Sequence, residues 1–321
     1  MIHGKPLTVI FSFALPLLVG NLFNQLYNVV DTAIVGRALG ADALAAVGST
    51  GNINACLFLL LGGLATGVSV IVSQYWGAKK YDELRRLLGT FTTLLLAGSV
   101  LLSVLGVVLA APILRLLQIP ADLLDMGVTY LRITAGLLLG NALYNAASAV
   151  LRSTGDSRTP LAAMAASSLC NIVLDLWFIL GLRMGVAGAA LAMVAAQFLS
   201  ALICLWVLWR RKKPFAFASV RLCFNSEDAA LILRFGLPTA LQSCMITLGG
   251  MTVQGIVNSF GSVTMAAYTA VQRIDSLTIQ VVVSVSNALA VYTGQNMGRR
   301  DIDRVRQGLR ATLKALCVIC L

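Results

Sequence analysis

The sequence predicts an all-α integral membrane protein with two six-helix bundles related by a parallel repeat, the second bundle being truncated. Three observations support this fold class. Hydrophobic residues make up 58% of the chain and charged residues 12%, about half the charged fraction of a typical soluble domain. The apolar residues form runs long enough to cross a hydrocarbon core of about 30 Å as helices. Residues near the start of the chain recur about 221 positions later.

The first apolar run, Thr8 to Val35, contains a single ionisable side chain, Asp31. Pro16 lies inside it and is expected to kink the helix, because proline lacks the N–H that a helix interior needs. The helical period places several polar side chains on or beside one face of this run: Asn24, Gln25, Tyr27, Asn28 and Asp31. A carboxylate in hydrocarbon costs at least about 2.5 kcal/mol. Asp31 is therefore predicted to face a cavity, a partner or a permeant ion, and a satisfied structural acid is the alternative.

The rest of the chain continues as apolar runs separated by short polar segments. A polar turn is predicted over Gly36 to Gly51. The later runs are Ile53–Val72, Leu88–Leu117, Val128–Leu151, Leu161–Leu180, Val186–Trp209, Ala229–Phe260, Val263–Tyr292 and a ninth that begins near Ala311. They predict eight complete membrane helices and the start of a ninth. The longest polar segment predicts the domain division: residues 1–213 form the N-terminal six-helix bundle, 214–228 a cytoplasmic linker, and 229–321 a partial C-terminal bundle.

The net charge of +11 is concentrated in alternate loops. The basic loops of the richer side span residues 77–86, 152–158, 210–234 and 299–310. The opposite side holds only Arg37, Arg115 and Arg183. Loops rich in Lys and Arg remain in the cytoplasm, so the N-terminus is predicted to be cytoplasmic. Because this distribution controls topology, the charge predicts a lipid bilayer as the surroundings and no nucleic acid as a partner.

Cysteine and histidine usage argues against the common metal and nucleophile sites. The seven cysteines are scattered, mostly inside apolar runs, and are predicted to be reduced packing residues. Cys317 and Cys320 have a C-x-x-C spacing, but no second pair lies beside them, which argues against a metal or redox site. His3 is the only histidine, which excludes a Ser-His-Asp arrangement and zinc sites built on histidine. No cofactor is predicted.

The internal repeat consists of ordered matches at nearly one offset. Pro16 matches Pro238, Gly40 matches Gly261, and the segment 74–80 matches 295–300. The repeat unit holds six helices, an even number, so both halves enter the membrane from the same side. A complete second half is expected to extend beyond the sequence, which is therefore expected to be a fragment or the product of a gene with a missing end. The chain alone is not expected to transport, because one wall of the cavity would be unbuilt.

These residues resemble the multidrug and toxic compound extrusion (MATE) family along the whole chain. The motifs that carry the resemblance are Leu15-Pro16, Gln25, Tyr27, Asp31, Val35-Gly36, Gly40, Leu44-Ala45-Ala46-Val47-Gly48, Gln74-Tyr75-Trp76-Gly77-Ala78, Leu151-Arg152-Ser153-Thr154-Gly155-Asp156, Gln272-Arg273-Ile274 and Gly294-Gln295-Asn296-Met297-Gly298. The resemblance implies twelve helices in two bundles. It also implies exchange of organic cations or other drugs for protons or sodium across the bacterial cytoplasmic (inner) membrane.

The resemblance also implies a cation-coupling site. Asp31 matches the first-helix acid of the family, Asn171 and Asp175 match an Asn and an Asp of the fifth helix, and Asn145 matches a fourth-helix Asn. Asn171 and Asp175 are four residues apart and share a helix face. The resemblance implies one metal ion, a sodium ion that Asp31 and Asp175 would bind. The chain departs from the sodium-coupled branch at Ile246, where that branch carries a Glu.

The predicted substrate cavity is lined by polar side chains of several helices. They are Asn24, Gln25, Tyr27, Asn28, Asn141, Gln197 and Gln242. Asn141 is an alternative to Asn145 as the fourth-helix partner of the coupling site, since Asn145 is expected nearer the cytoplasmic side. The alternative role for each Asn is an interhelical hydrogen bond.

The predicted function is efflux of drugs or metabolites by antiport with protons or sodium, so the chain is not expected to be an enzyme. A flippase for lipid-linked saccharides is a second interpretation as a transporter, but it would need more positive charge in its cavity to hold pyrophosphate. A membrane-embedded enzyme such as a prenyltransferase would need clustered Asp for magnesium. The acids of this chain are isolated within helices, which argues against it.

Overall fold

The computed structural model describes residues 1–117, 119–211, 216, 220–258 and 260–320. Over these residues the chain is helical throughout, with short connections and no strand, as predicted. The helices are α1 (Pro6–Leu39), α2 (Ala41–Gly77), α3 (Tyr81–Leu116), α4 (Ala121–Gly136), α5 (Leu139–Ser153), α6 (Arg158–Asp175), α7 (Val186–Arg210), α8 (Ser226–Asn258), α9 (Ser262–Gly298) and α10 (Ile302–Cys320). A π-helical segment, Leu176–Gly181, continues α6.

The helices match the predicted membrane spans. Within the described part of the chain, six helices are long and apolar enough to cross a membrane, and seven when α4 and α5 count as one bent span. α9, a helix of 37 residues, covers the eighth predicted run and α10 the start of the ninth, but neither is among the helices counted above. The chain is therefore a multi-pass membrane protein.

The connection between α1 and α2 is shorter than predicted. Gly40 alone lies between the two helices, so the prediction of a polar turn over Gly36 to Gly51 is wrong. Gly40 has φ 89°, a conformation that side chains disfavour and glycine adopts freely. Asp42 lies in the first turn of α2, where a negative charge interacts favourably with the helix dipole. The polar residues of this segment therefore belong to the start of α2 and not to a loop.

The fourth predicted span, Val128 to Leu151, is divided into α4 and α5. The two helices meet at an angle of 45°. Gly136 ends α4 and lacks the side chain that favours helix continuation. Just after the bend, Gly140 lies against the ring of Phe198 in α7, where an added Cβ would be 2.9 Å from the ring. The bend thus brings α5 against α7 through a glycine.

The internal repeat is confirmed in the local backbone geometry. Gly261, directly before α9, has φ 92° and ψ 173°, and its counterpart Gly40, directly before α2, has φ 89° and ψ 179°. The helices that follow these glycines each contain 37 residues. Lys79 and Arg300, which follow the ends of those helices, both have positive φ, 57° and 61°. The same turns therefore recur in the second half.

The two halves meet closely at the end of the molecule where α2 and α9 finish, which we call the basic end because the Lys- and Arg-rich loops lie there. Gly77 of α2 packs on the backbone of Gln295, and Gly298 of α9 packs on the backbone of Gln74. The contact is reciprocal, because Gly77 and Gly298 are counterparts in the repeat, and so are Gln74 and Gln295. The Gln295 side chain also donates from Nε2 to the carbonyl of Ser153 at 2.7 Å. The basic end is therefore closed.

The division into domains remains a prediction, because residues 212–215 and 217–219 lie outside the described part of the chain. The described end of the predicted linker runs along α3. Thr93 donates from its hydroxyl to the carbonyl of Cys223 at 2.9 Å, and the backbone N–H of Asn225 donates to the Thr90 hydroxyl at 3.2 Å. This end of the linker is thereby fixed to the first bundle.

An ion pair joins α3 to the first turn of α8. Arg86 donates from Nε to Asp228 at 2.8 Å. The Asp228 side chain is 3% exposed and the Arg86 side chain 46% exposed. A buried carboxylate that loses its partner keeps its desolvation cost without compensation.

Arg86→Gln is accordingly expected to lower the melting temperature of the purified protein. Lys80→Gln is the matched control, because the Lys80–Glu83 pair is exposed on both sides and exposed pairs contribute little. Equal melting temperatures for the two variants would contradict the structural role of the Arg86–Asp228 pair.

Candidate cation site and substrate cavity

The polar face of α1 is formed as the residue spacing predicts. Asn28 donates from Nδ2 to Oδ1 of Asn24 at 3.0 Å, and Thr32 donates to the carbonyl of Asn28 at 2.7 Å. Asn24 and Asn28 are exposed, whereas Asp31, one turn further along, is half-buried. The face therefore leads from an open amide pair to a carboxylate withdrawn from solvent.

The last turn of α6 carries two fully buried polar side chains, Asn171 and Asp175. Among the described residues the amide of Asn171 has no hydrogen-bond partner, and neither carboxylate oxygen of Asp175 accepts a hydrogen bond from a donor group. Leaving a buried polar group unsatisfied costs about 1–3 kcal/mol, and such groups are rare in native structures. The π-helical segment starts directly after Asp175, and such segments frequently occur at functional sites.

Asp31 and Asp175 bring their carboxyl groups within hydrogen-bonding reach of each other across α1 and α6. A hydrogen bond between two carboxyl groups exists only when one of them carries a proton. Two adjacent carboxylates cannot both ionise cheaply. The pair is therefore suited to hold one proton, or a cation between its oxygens.

Two tyrosines lie beside this acid pair. Tyr27 of α1 and Tyr130 of α4 are each close enough to interact electrostatically with both carboxyl groups. Tyr130 is 4% exposed and its hydroxyl is directed at the sulfur of Met193, at 3.7 Å. Sequence reasoning missed Tyr130, because a tyrosine inside an apolar run carries no signal that separates a site residue from a packing residue.

A cavity of about 240 Å³ opens beside the acid pair between α1, α2, α5, α6 and α7. Its walls include six of the residues singled out from the sequence: Asn24, Tyr27, Asn28, Asn141, Asn171 and Gln197. Met164 and Met193 also line it, and flexible thioethers can adapt to ligands of different shape. The cavity thus combines neutral amides, a phenol and thioethers.

Three predicted site residues lie elsewhere. Asn145 donates from Nδ2 to Oδ1 of Asn141 at 3.0 Å, so it supports the cavity-lining Asn141 and does not line the cavity. Gln25 is not among the described residues that line the cavity, and Asn21, one turn before it, donates to Ser284 of α9. Gln242 is exposed on α8. Spacing alone could not assign these three, because helix rotation decides which neighbour each side chain meets.

Comparison with known proteins identifies the family. The sequence model of the MatE family matches residues 16–177 and 238–321. The chain belongs to the MatE family. The two matched segments begin at Pro16 and Pro238, the same pair that starts the internal repeat.

Relatives with similar sequences agree with this assignment. The chain is 32% identical to the probable multidrug resistance protein YoeA and 34% identical to YpnP, both of Bacillus subtilis. These alignments cover 93% and 94% of this chain but 66% and 68% of the relatives, so the chain spans about two thirds of their length. It is also 25% identical to an FAD transporter of Shewanella oneidensis, over 97% of this chain and 69% of the relative.

The fold of this MatE chain matches a crystal structure of MATE in the bent conformation, with a TM-score of 0.91 and 24% identity. The match covers 98% of this chain and 71% of the other. The structural match confirms the predicted two-bundle fold. The family match and the relatives confirm the prediction that the protein is not an enzyme.

Proposed function

We propose that the protein exports organic drugs or metabolites across the bacterial cytoplasmic membrane by antiport with protons or sodium. Its N-terminus lies in the cytoplasm. The observation that carries the proposal is the pairing of Asp31 with Asp175 beside an amide-lined cavity. The unsatisfied Asn171 and Asp175 support it, because carboxylate and amide oxygens are the ligands that hard cations prefer.

The proposed coupling rests on competition between charge states. Binding of a proton or sodium ion at Asp31 and Asp175 compensates buried negative charge and allows the polar part of α1 to pack against α6. An organic substrate in the cavity contacts Asn24 and Asn28 of the same helix. These contacts favour a second arrangement of α1, in which its polar part is not packed against α6. Each ligand shifts the equilibrium by its differential affinity for the two arrangements, which exchanges one for the other.

The substrate class is supported by the cavity and by the relatives. The described lining of the cavity contains no Arg or Lys, so it suits cationic or neutral organic molecules better than a pyrophosphate-linked lipid. This argues against the flippase alternative. The relatives named as multidrug resistance proteins favour drugs, and the relative named as an FAD transporter favours a metabolite as the second candidate.

Efflux driven by separately imposed gradients tests the proposal. The protein, in a form that carries both six-helix bundles, is reconstituted in vesicles loaded with a fluorescent organic cation. A proton gradient or a sodium gradient of equal size is then applied. Release that depends on one of the gradients is expected. Release that ignores both gradients would contradict antiport.

Asn171→Leu is expected to separate stability from cation binding. Leucine has nearly the same size and removes an unsatisfied buried amide, so the melting temperature is expected to stay equal or to rise. The stabilisation of the protein by sodium or by acidification is expected to fall, because a neutral oxygen ligand is lost. Melting temperatures across sodium concentrations and pH values measure both effects.

Asn145→Leu serves as the control for Asn171→Leu. Asn145 donates a hydrogen bond to Asn141, so its replacement is expected to lower the melting temperature while the response to cations persists. If both variants responded to cations like the unmodified protein, Asn171 would not be a ligand of the site.

A further inference from the structure

A second cavity, of about 470 Å³, lies on a different face of α5 from the amide-lined cavity. It is formed by α3, α5 and α7 together with Val220 of the linker. Its walls are Leu, Val, Ala, Phe and Trp side chains, with Thr92 as the single polar residue among the described lining. We call it the lipid-facing groove. It is separate from the amide-lined cavity, and none of its lining residues takes part in the proposed coupling.

The lipid-facing groove reaches the membrane surface at the basic end. Trp206 and Trp209 line it in the last turns of α7, and their side chains are 52% and 64% exposed. Tryptophan at this position is typical of the boundary between hydrocarbon and headgroups. From Trp209 the groove continues inward along α7 to Leu202, about two helical turns deeper. It is therefore an apolar slot that opens at headgroup level.

A cation lies at the mouth of the groove. The guanidinium of Arg210 is 4.2 Å from the centre of the Trp206 ring, and Arg210 is otherwise exposed. The neighbouring Arg211 is already paired with Asp156. Among the described residues Arg210 has no ion pair, so its guanidinium can donate hydrogen bonds to a headgroup at the mouth of the groove.

We propose that the lipid-facing groove binds an anionic phospholipid of the leaflet at the basic end. One acyl chain lies between Leu143, Leu202 and Trp206, and the phosphate accepts hydrogen bonds from Arg210. In the orientation proposed above this leaflet is cytoplasmic, which is the leaflet whose anionic lipids attract basic residues beside membrane helices. A drug-like molecule fits less well, because such ligands are oriented by several convergent polar groups, and Thr92 alone is present.

Lipid binding at the groove would stabilise the first bundle. The groove lies between three helices of that bundle and the linker. An acyl chain in the groove would contact all of them and fill the space that separates them. Each basic residue near the membrane surface contributes about fivefold to the binding of an anionic lipid. Replacement of Arg210 alone is therefore expected to change the lipid preference by a measurable amount.

Tryptophan quenching by brominated lipids tests the proposal. Trp76→Phe and Trp177→Phe are combined so that Trp206 and Trp209 are the remaining fluorophores. The protein is reconstituted in phosphatidylcholine vesicles, and brominated phosphatidylglycerol or brominated phosphatidylcholine is titrated in. We expect about fivefold stronger apparent binding of the glycerol lipid. Equal quenching by the two lipids would overturn the proposal.

Three further variants locate the site. Arg210→Gln is expected to remove the preference, whereas Arg115→Gln, at the opposite end of α3, is expected to retain it. Ala146→Phe places a ring in the groove and is expected to reduce quenching by both lipids at the groove. A preference that survives Arg210→Gln, or quenching that is unchanged by Ala146→Phe, would overturn the assignment. Circular dichroism of each variant confirms that the helices are intact.

Discussion

Replacement of Asp31 by asparagine is expected to reduce gradient-driven efflux to the level of cells that lack the transporter, while substrate binding remains measurable. The asparagine amide can donate a hydrogen bond to Asp175, so it reproduces the protonated carboxyl without being able to release a proton. The coupling site would then stay in one state. Efflux by the form with both six-helix bundles, driven by a proton or sodium gradient, measures the loss.

Asp42→Asn is the matched control for this experiment. Asp42 is also an acid on the first two helices, but it is exposed in the first turn of α2. Its replacement is expected to leave efflux nearly unchanged. Efflux by Asp31→Asn at the unmodified rate, with its cation dependence retained, would place the coupling site outside the first bundle.

Gly77→Leu is expected to disrupt the packing of the two halves at the basic end. A Cβ at position 77 would overlap the backbone of Gln295, which cannot move aside as a flexible side chain does. The α2–α9 contact must therefore open. Overpacking of this kind costs about 1–3 kcal/mol. A lower melting temperature and an opened basic end are expected together.

Labelling of a cysteine at position 73 measures the opening. Ser73 is fully buried and packs against Gly294 of α9, so Ser73→Cys is expected to react slowly with a membrane-impermeant maleimide. Addition of Gly77→Leu is expected to make it reactive. The control is Gly48→Leu, in the same helix, because no atom lies within 4 Å of a Cβ at that position. Protection of position 73 in the Gly77→Leu variant would show that the contact tolerates a side chain.

The features that could be predicted from the sequence are those that depend on one helix or on the repeat. Asn24, Asn28 and Asp31 share a face because the helical period fixes their relative directions. Asn171 and Asp175 share a face for the same reason. The repeat likewise predicted that Gly40 and Gly261 are counterparts, although the polar composition around Gly40 predicted a longer turn than the single residue found.

The features that could not be predicted depend on how helices rotate and bend against one another. Gln25 and Gln242 are polar residues on predicted membrane helices, yet the rotation of α1 and α8 directs them away from the cavity. The bend after Gly136 changes the direction of the fourth span, and no periodicity in the sequence marks it. Tyr130 reaches the acid pair only through the packing of α4, which a pattern of apolar residues does not define.

The attachment of the linker to α3 has a mechanical consequence. Arg86 holds Asp228, so the first turn of α8 moves with the first bundle although α8 belongs to the second half of the repeat. A rocking motion of the second half about that point would leave the Arg86–Asp228 pair intact. α8 contains 33 residues and is about 50 Å long, so a rotation of about 10° displaces its far end by about 9 Å. In such a motion the start of α8 would be the fixed point, with small displacements near the Gly77 contact and large ones at the opposite membrane surface.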